Sequence, residues 1–234
     1  MRAVLLTLTL VAAIAVAAFF VAPRVLPTEE PRIEGPLHDG DVVFQTTSSD
    51  QARAIQLATH SPYTHVGVVA TANGKTVVLE ASDHVRVTPL DEWLARAPGS
   101  FVAKRLKTAR ATFTPEAKKR FVDVGKRYIG RPYDDAFDWS DARMYCSELV
   151  WKVFHEALGV DLGQPQPLRT FDLTSKVVQA ALERRYKKRV PLDEPTISPQ
   201  QIFESDYLEL VSDGPRHLVA RDAPHDAPHD ATAD

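Results

Sequence analysis

Tyr145-Cys146-Ser147-Glu148-Leu149-Val150-Trp151 carries the one cysteine of this 234-residue chain into the start of an amphipathic segment. Leu149, Val150, Val153, Phe154 and Leu158 share one helical face, and Gly159 fits the helix end. A helix N-terminus offers free amides and the positive end of the dipole, and both favour a thiolate. Upstream, Tyr63-Thr64-His65-Val66-Gly67-Val68-Val69 reads as a strand that bears a histidine. A cysteine and a distant histidine are the minimum for thiol nucleophilic catalysis, so the chain reads first as a cysteine hydrolase.

The histidine strand opens a hairpin. His65 to Thr71 and Thr76 to Ala81 are both rich in valine, and Asn73-Gly74 between them is a strong two-residue turn signal. With those two residues as the loop, Ala72 pairs with Lys75, Val69 with Val78, Gly67 with Glu80 and His65 with Ser82. His65 and Glu80 then share a face as diagonal neighbours, with backbones about 7–8 Å apart. Gly67 leaves room for the glutamate to approach, and Glu80 becomes the residue that orients His65. A one-residue slip would put the two side chains on opposite faces. A lone cysteine also serves as a small core residue, and a strand histidine can be satisfied locally. Glu80 resists such a reading, because it interrupts Val77-Val78-Leu79 and Ala81 in a strand that otherwise looks buried. A carboxylate there needs a partner.

Outward from this pair, Asp39-Gly40 marks a turn before a short strand, Asp41 to Gln45, and Phe101 to Leu106 reads as another strand. Thr114 can cap a helix that has Pro115 at its first position and Gly130 at its end, and a further helix is expected over 172–186. Strands first and helices after predict an α+β domain. Residues 3–22 carry no charge and just suffice to span a bilayer, which predicts a signal-anchor over 1–22. Ala15-Val16-Ala17 keeps a cleaved signal peptide open. Pro23, Pro27, Pro31 and Pro36 mark a linker over 23–36, leaving a folded domain at 37–212. The repeat Ala-Pro-His-Asp near the end predicts a disordered tail over 213–234. A net charge of -3 gives no reason to expect nucleic acid. Arg184-Arg185-Tyr186-Lys187-Lys188-Arg189 could meet anionic headgroups, with a solvated helix end the preferred reading. His38, His60 and His84 lack metal-ligand spacing, so neither metal nor cofactor is expected.

The order Gly40-Asp41-Val42-Val43-Phe44-Gln45, Tyr63 to Val69, Val78-Leu79-Glu80-Ala81, Tyr128-Ile129-Gly130-Arg131-Pro132-Tyr133-Asp134 and Tyr145 to Trp151 resembles the circularly permuted papain-like amidases of the NlpC superfamily, in particular their YiiX-like branch. Lecithin retinol acyltransferase-type enzymes are more distantly similar. The resemblance covers about residues 37 to 160. It implies a papain-like core in which the cysteine helix packs on a small antiparallel sheet. It also implies Cys146 as nucleophile, His65 as base and Glu80 as the polar third member. The backbone N–H of Cys146 is the natural oxyanion donor. Gln45, Tyr63 and Tyr145 are candidates for the second donor or for substrate contact. The expected substrate is a peptide, of the cell wall or related, or an acyl-amide, met outside the inner membrane to which residues 3–22 would tether the enzyme. A lipid-directed hydrolase or acyltransferase and a non-catalytic binding module are the alternatives.

Overall fold

The computed structural model of the protein describes residues 36–97, 101–187 and 189–212. The expectations for the apolar N-terminus, most of the proline linker and the tail concern residues outside these. Among the described residues no helix is long and apolar enough to cross a membrane.

The expected hairpin sets the frame. Strands β2 (His65–Ala72) and β3 (Lys75–Ala81) pair antiparallel in the predicted register, Ala72 with Lys75 and Val69 with Val78. Asn73 and Gly74 both take positive φ, 52° and 73°, the backbone that twists a two-residue turn to match its strands. β1 (Val42–Gln45) pairs with β2 so that Gln45 faces His65, and on its other side it pairs with β5 (Phe101–Leu106). Two strands that the sequence reading leaves unassigned complete the sheet. β4 (Val85–Pro89) adds to β3 and β8 (Leu208–Ser212) to β5, giving the all-antiparallel order β4-β3-β2-β1-β5-β8. A two-stranded ribbon, β6 (Gln166–Pro167) with β7 (Pro195–Thr196), stands apart.

Alternation along the strands makes two cores. Val42, Phe44, Val66, Val68 and Leu79 point to one face, where α4 (Pro115–Tyr128) and α5 (Cys146–Leu158) cover them with Phe121, Leu149, Val153 and Phe154. Val43, Val69, Val78, Phe101 and Ala103 point to the other, covered by Leu90 and Trp93 of the short helix α2 (Leu90–Ala95). The helix boundaries follow local chemistry. Thr114 caps α4, with Pro115 opening it, and α5 stops at Gly159, which takes the left-handed conformation at φ 67°. Helix α1 (Asp50–Thr59), also unassigned from sequence, is capped by the Ser49 hydroxyl. The helix expected over 172–186 begins later, as α6 (Lys176–Tyr186), because Ser175 accepts the Val177 N–H and fixes the first turn there. The remaining helices are the single turn α3 (Ala109–Thr112) and the short α7 (Pro199–Phe203). The α+β fold class expected from the sequence is the one observed, and the cysteine helix packs on β2 and β3.

Candidate active site

Cys146 is the first residue of α5 and is buried. The turn that presents it is held on both sides. Tyr145 is extended, with its N–H donating to Glu148 Oε2 at 3.3 Å, and its hydroxyl accepts the Ile197 N–H at 3.1 Å. Ser147 donates its hydroxyl to the Ile197 carbonyl at 2.8 Å. The start of the helix is thereby tied to residue 197, and Cys146 has little freedom to move.

His65 opens β2, and its ring hydrogen-bonds to Cys146 on one side and to Glu80 on the other, with Nε2 2.6 Å from Glu80 Oε2. Nε2 is thus taken by the carboxylate, which leaves Nδ1 for the thiol. Burial opposes a charge on this imidazole. The hydrogen bonds to Cys146 and then to Glu80 outweigh it and push His65 up to about 9. Glu80 has no exposed surface. Thr88 donates its hydroxyl at 2.6 Å, Arg96 Nη2 reaches both carboxylate oxygens at 2.6 and 2.7 Å, and Arg86 Nε lies at 3.4 Å. Burial would raise such a carboxyl. The bond from His65 first, with the His65 charge, Arg96 and Thr88 behind it, holds it well below the usual range. A side chain at Gly67 would meet Val78 Cγ1 at 2.5 Å and the Leu79 carbonyl at 3.0 Å, so the close approach of β2 and β3 beside Glu80 requires glycine.

His65 therefore stands between the other two residues picked out by spacing and register, bonded to Cys146 and to Glu80. The other candidates have different surroundings. Gln45 lies opposite His65, and its Nε2 donates one of its two protons to the Trp93 carbonyl at 2.6 Å. It braces α2, the helix whose Trp93 ring stacks on His65 at 6.2 Å and whose C-cap is Arg96. Tyr145 is buried with its hydroxyl on Ile197, and it acts as a strut under the cysteine turn. Tyr63 packs its ring against Phe203 at 4.4 Å and Phe44 at 5.6 Å.

Sequence reasoning passed over Tyr133 and Gln51. Gln51 Nε2 donates to the Tyr133 phenol oxygen at 2.8 Å, so the hydroxyl proton of Tyr133 is left to donate elsewhere. Burial first, and then the negative charge of Cys146, hold that proton far more firmly than in a free tyrosine. Tyr133 lines a cleft of about 690 Å³ together with Thr47, Gln51, His65, Arg96 and Arg143. The residue is placed by an isolated bridge to Met144 and by its N–H on the Asp83 carbonyl at 3.0 Å, neither of which has a periodic signature to read.

A model of the permuted papain-like amidase enzymes of the YaeF/YiiX, C92 family matches residues 36–212. The uncharacterized protein YiiX of Escherichia coli (strain K12) is 44% identical over 174 residues, 74% of this chain and 85% of that protein. The crystal structure described as metalloprotein yiiX from Escherichia coli O157:H7 superposes with a TM-score of 0.71 at 44% identity, covering 76% of this chain and 97% of that one. Among the described residues of this chain, no group of three or more His, Cys, Asp or Glu side chains is placed to hold a metal ion.

Proposed function

The chain belongs to the YaeF/YiiX family of permuted papain-like amidases, and from that premise we propose that it cleaves amide bonds through a Cys146 acyl-enzyme, with His65 as base and Glu80 as its orienting partner. The observation that carries this reading is the single imidazole bonded to the thiol on one edge and to a buried, fully donated carboxylate on the other. In the resting site His65 is protonated and Cys146 is its thiolate partner. The sulfur attacks the carbonyl carbon, and the imidazolium, well supplied with a proton, delivers it to the departing amine.

Acylation then removes the negative charge on sulfur. The Cys146 bond is the largest of the influences that raise His65. Its loss lets the ring become neutral and take a proton from the water that hydrolyses the thioester. Glu80 stays ionised throughout and fixes which ring nitrogen faces sulfur. The oxyanion is held by the Cys146 N–H, which has no intrahelical acceptor at the first turn, and by the Tyr133 hydroxyl aligned by Gln51. Peptides of the cell wall or related amides are the proposed substrates. The apolar residues 3–22 would carry the domain across the inner membrane to reach them.

The test is trapping of the intermediate. A reactive acyl compound such as p-nitrophenyl acetate should give a burst of one equivalent and an acetyl mass increment on Cys146. The increment should be absent in Cys146→Ala, and it should build up slowly, if at all, in His65→Ala. Acetylation elsewhere with Cys146 untouched would sink the reading.

A further inference from the structure

Arg143 lies just before the cysteine turn, exposed, on the wall of the cleft that His65 and Tyr133 also line. Its backbone is held on both sides. Upstream, Lys152 Nζ donates to the Ser140 carbonyl at 3.1 Å and to Asp141 at 2.7 Å. Downstream, the Met144 N–H donates to the Pro132 carbonyl at 3.0 Å, and the Met144 carbonyl accepts the Asp134 N–H at 3.1 Å. The guanidinium itself has no hydrogen bond or ion pair with any described residue. That sets it apart from the other cations of the site. Arg96 is committed to Glu80, Arg86 to Glu80 and Asp83, and Lys152 to Asp141, while Arg185 lies over Phe137.

The acids near it do not answer its charge. Asp134 is buried and gives its two oxygens to the Ala136 and Asp138 N–H groups. On the cleft wall, Asp83 is paired with His84 at 2.7 Å and with Arg86 at 3.3 Å. Asp135 is exposed and lines the cleft too, but it forms no ion pair with Arg143. A guanidinium carries five N–H donors in a planar fork that matches a carboxylate or a phosphate. The position of the fork also decides which part of a substrate it meets. His65 delivers its proton to the departing amine, and Tyr133 and Gln51, which serve the oxyanion, line the same cleft. What the amine carries beyond its nitrogen therefore enters the space that Arg143 borders.

We propose that Arg143 selects amides whose leaving amine carries an anionic group, a carboxylate or a phosphate. The proposal rests on the assignment of Cys146 as nucleophile and names the chemistry of the amine that it displaces. The carbonyl carbon gains a bond to sulfur and loses its bond to nitrogen, and the nitrogen takes its proton from the His65 imidazolium. The anionic amine leaves. Water then releases the acyl group as a carboxylic acid and restores the thiolate and imidazolium. An anion brought beside a thiolate is repelled, and a guanidinium on the cleft wall offsets that repulsion while fixing where the group sits.

Two isomers test the proposal apart from turnover. N-acetyl-β-alanine carries its carboxylate on the amine side of the amide, and N-methylsuccinamate carries the same charge on the acyl side. Both are titrated into the full-length Cys146→Ala protein, beside neutral N-acetyl-β-alaninamide and the phosphate compound N-acetylphosphoethanolamine. Affinity is read from NMR shifts of the His65 ring. At least one of the two compounds with an anionic amine should bind about tenfold or more tightly than the neutral amide and the acyl-side isomer, the scale of a hydrogen bond to a charged group. Whichever binds tighter identifies the anion. Arg143→Met should bring that ratio to about one and Arg143→Lys should retain part of it, both with the wild-type melting temperature, since no internal partner is lost. Added salt should narrow the ratio. Absent binding, equal binding of the isomers, a preference for N-methylsuccinamate or a ratio that survives Arg143→Met would each overturn the proposal. His65-dependent alkylation of the wild-type thiol, run alongside, separates the two claims. If labelling depends on His65 and the isomers bind alike, the role of Arg143 alone fails; if labelling is ordinary, the nucleophile assignment fails whatever the isomers do.

Discussion

Glu80 and Glu148 are both glutamates with no exposed surface, and both lie within a few residues of the proposed nucleophile or base in space or sequence, yet their surroundings drive them to opposite charge states. Glu80 receives a hydrogen bond from His65, two from Arg96 and one from Thr88, and it is held ionised. Glu148 receives the Tyr145 N–H at 3.3 Å, and Lys152 Nζ lies 2.9 Å from its Oε1 at an angle too poor for a hydrogen bond. Lys152 is also shared with Asp141 at 2.7 Å and the Ser140 carbonyl at 3.1 Å. Burial therefore prevails over Lys152, and Glu148 is pushed up to about 8. Burial alone does not decide the state of a carboxyl; the number and quality of its donors does. One glutamate is equipped to hold an imidazolium, the other to cap a helix as a largely neutral acid near pH 7.

Removing the donated acceptor should have the largest effect. Glu80→Ala strands Arg96, Thr88 and His65 around a void and should cost about 3–5 kcal/mol in urea unfolding. Glu80→Gln keeps the shape but loses the charge, and it should lower kcat on a turned-over amide by about 10²–10⁴. A Glu80→Gln enzyme of wild-type kcat would end the orienting role. The stability lost in that variant should also depend on pH. The folded carboxyl lies below its unfolded value, so its contribution is complete above about pH 4.5 and fades as pH falls further. His65 has the opposite sense: its stabilisation is complete below about pH 6.5 and is lost as pH rises through about 9.

Next in size is Gly67→Ala, which forces Val78 or the strand to shift and should cost about 1–3 kcal/mol. Its His65–Glu80 contact should loosen with it, read as a changed imidazole titration by NMR. Smallest is Glu148→Gln. Near neutrality it replaces an acid that is already largely protonated, so kcat should change by less than about threefold and stability at pH 6 by about 1 kcal/mol or less. The wild-type residue is raised in the folded state, so ionisation costs stability progressively from about pH 4.5 to pH 8. Melting temperatures of the two proteins should move in favour of the variant as pH climbs through that interval. A variant that loses ground instead would mean that Glu148 is ionised and paired with Lys152.

The same contrast shows what a sequence can disclose. The contact of His65 with Glu80 was readable because Asn73-Gly74 fixes a two-residue turn, and from there the register follows by counting. The cysteine helix was readable because its apolar face and Gly159 bound it. Arg96 and Thr88 carry no such signal. They reach Glu80 only after β4 and α2 fold back over the sheet, and both elements are too short for a periodicity to emerge. β8 pairs with β5 across roughly a hundred residues of chain, a distance at which alternation in Leu208 to Val211 names a strand but not its partner. Gln45 and Tyr145 were singled out for proximity to His65 and Cys146. That proximity is real, and the Gln45 amide also bonds to Trp93 while the Tyr145 hydroxyl accepts from Ile197.

The most direct test of the central claim is the rate of Cys146 alkylation by iodoacetamide between pH 5 and pH 9 in the wild type, His65→Ala and Glu80→Gln. The proposed pair predicts rapid labelling at pH 6, where a free thiol with a pKa of about 8.5 labels slowly. That excess should be lost in His65→Ala and reduced in Glu80→Gln. Slow labelling at pH 6 that neither substitution alters would contradict the account and leave Cys146 as a residue of the core.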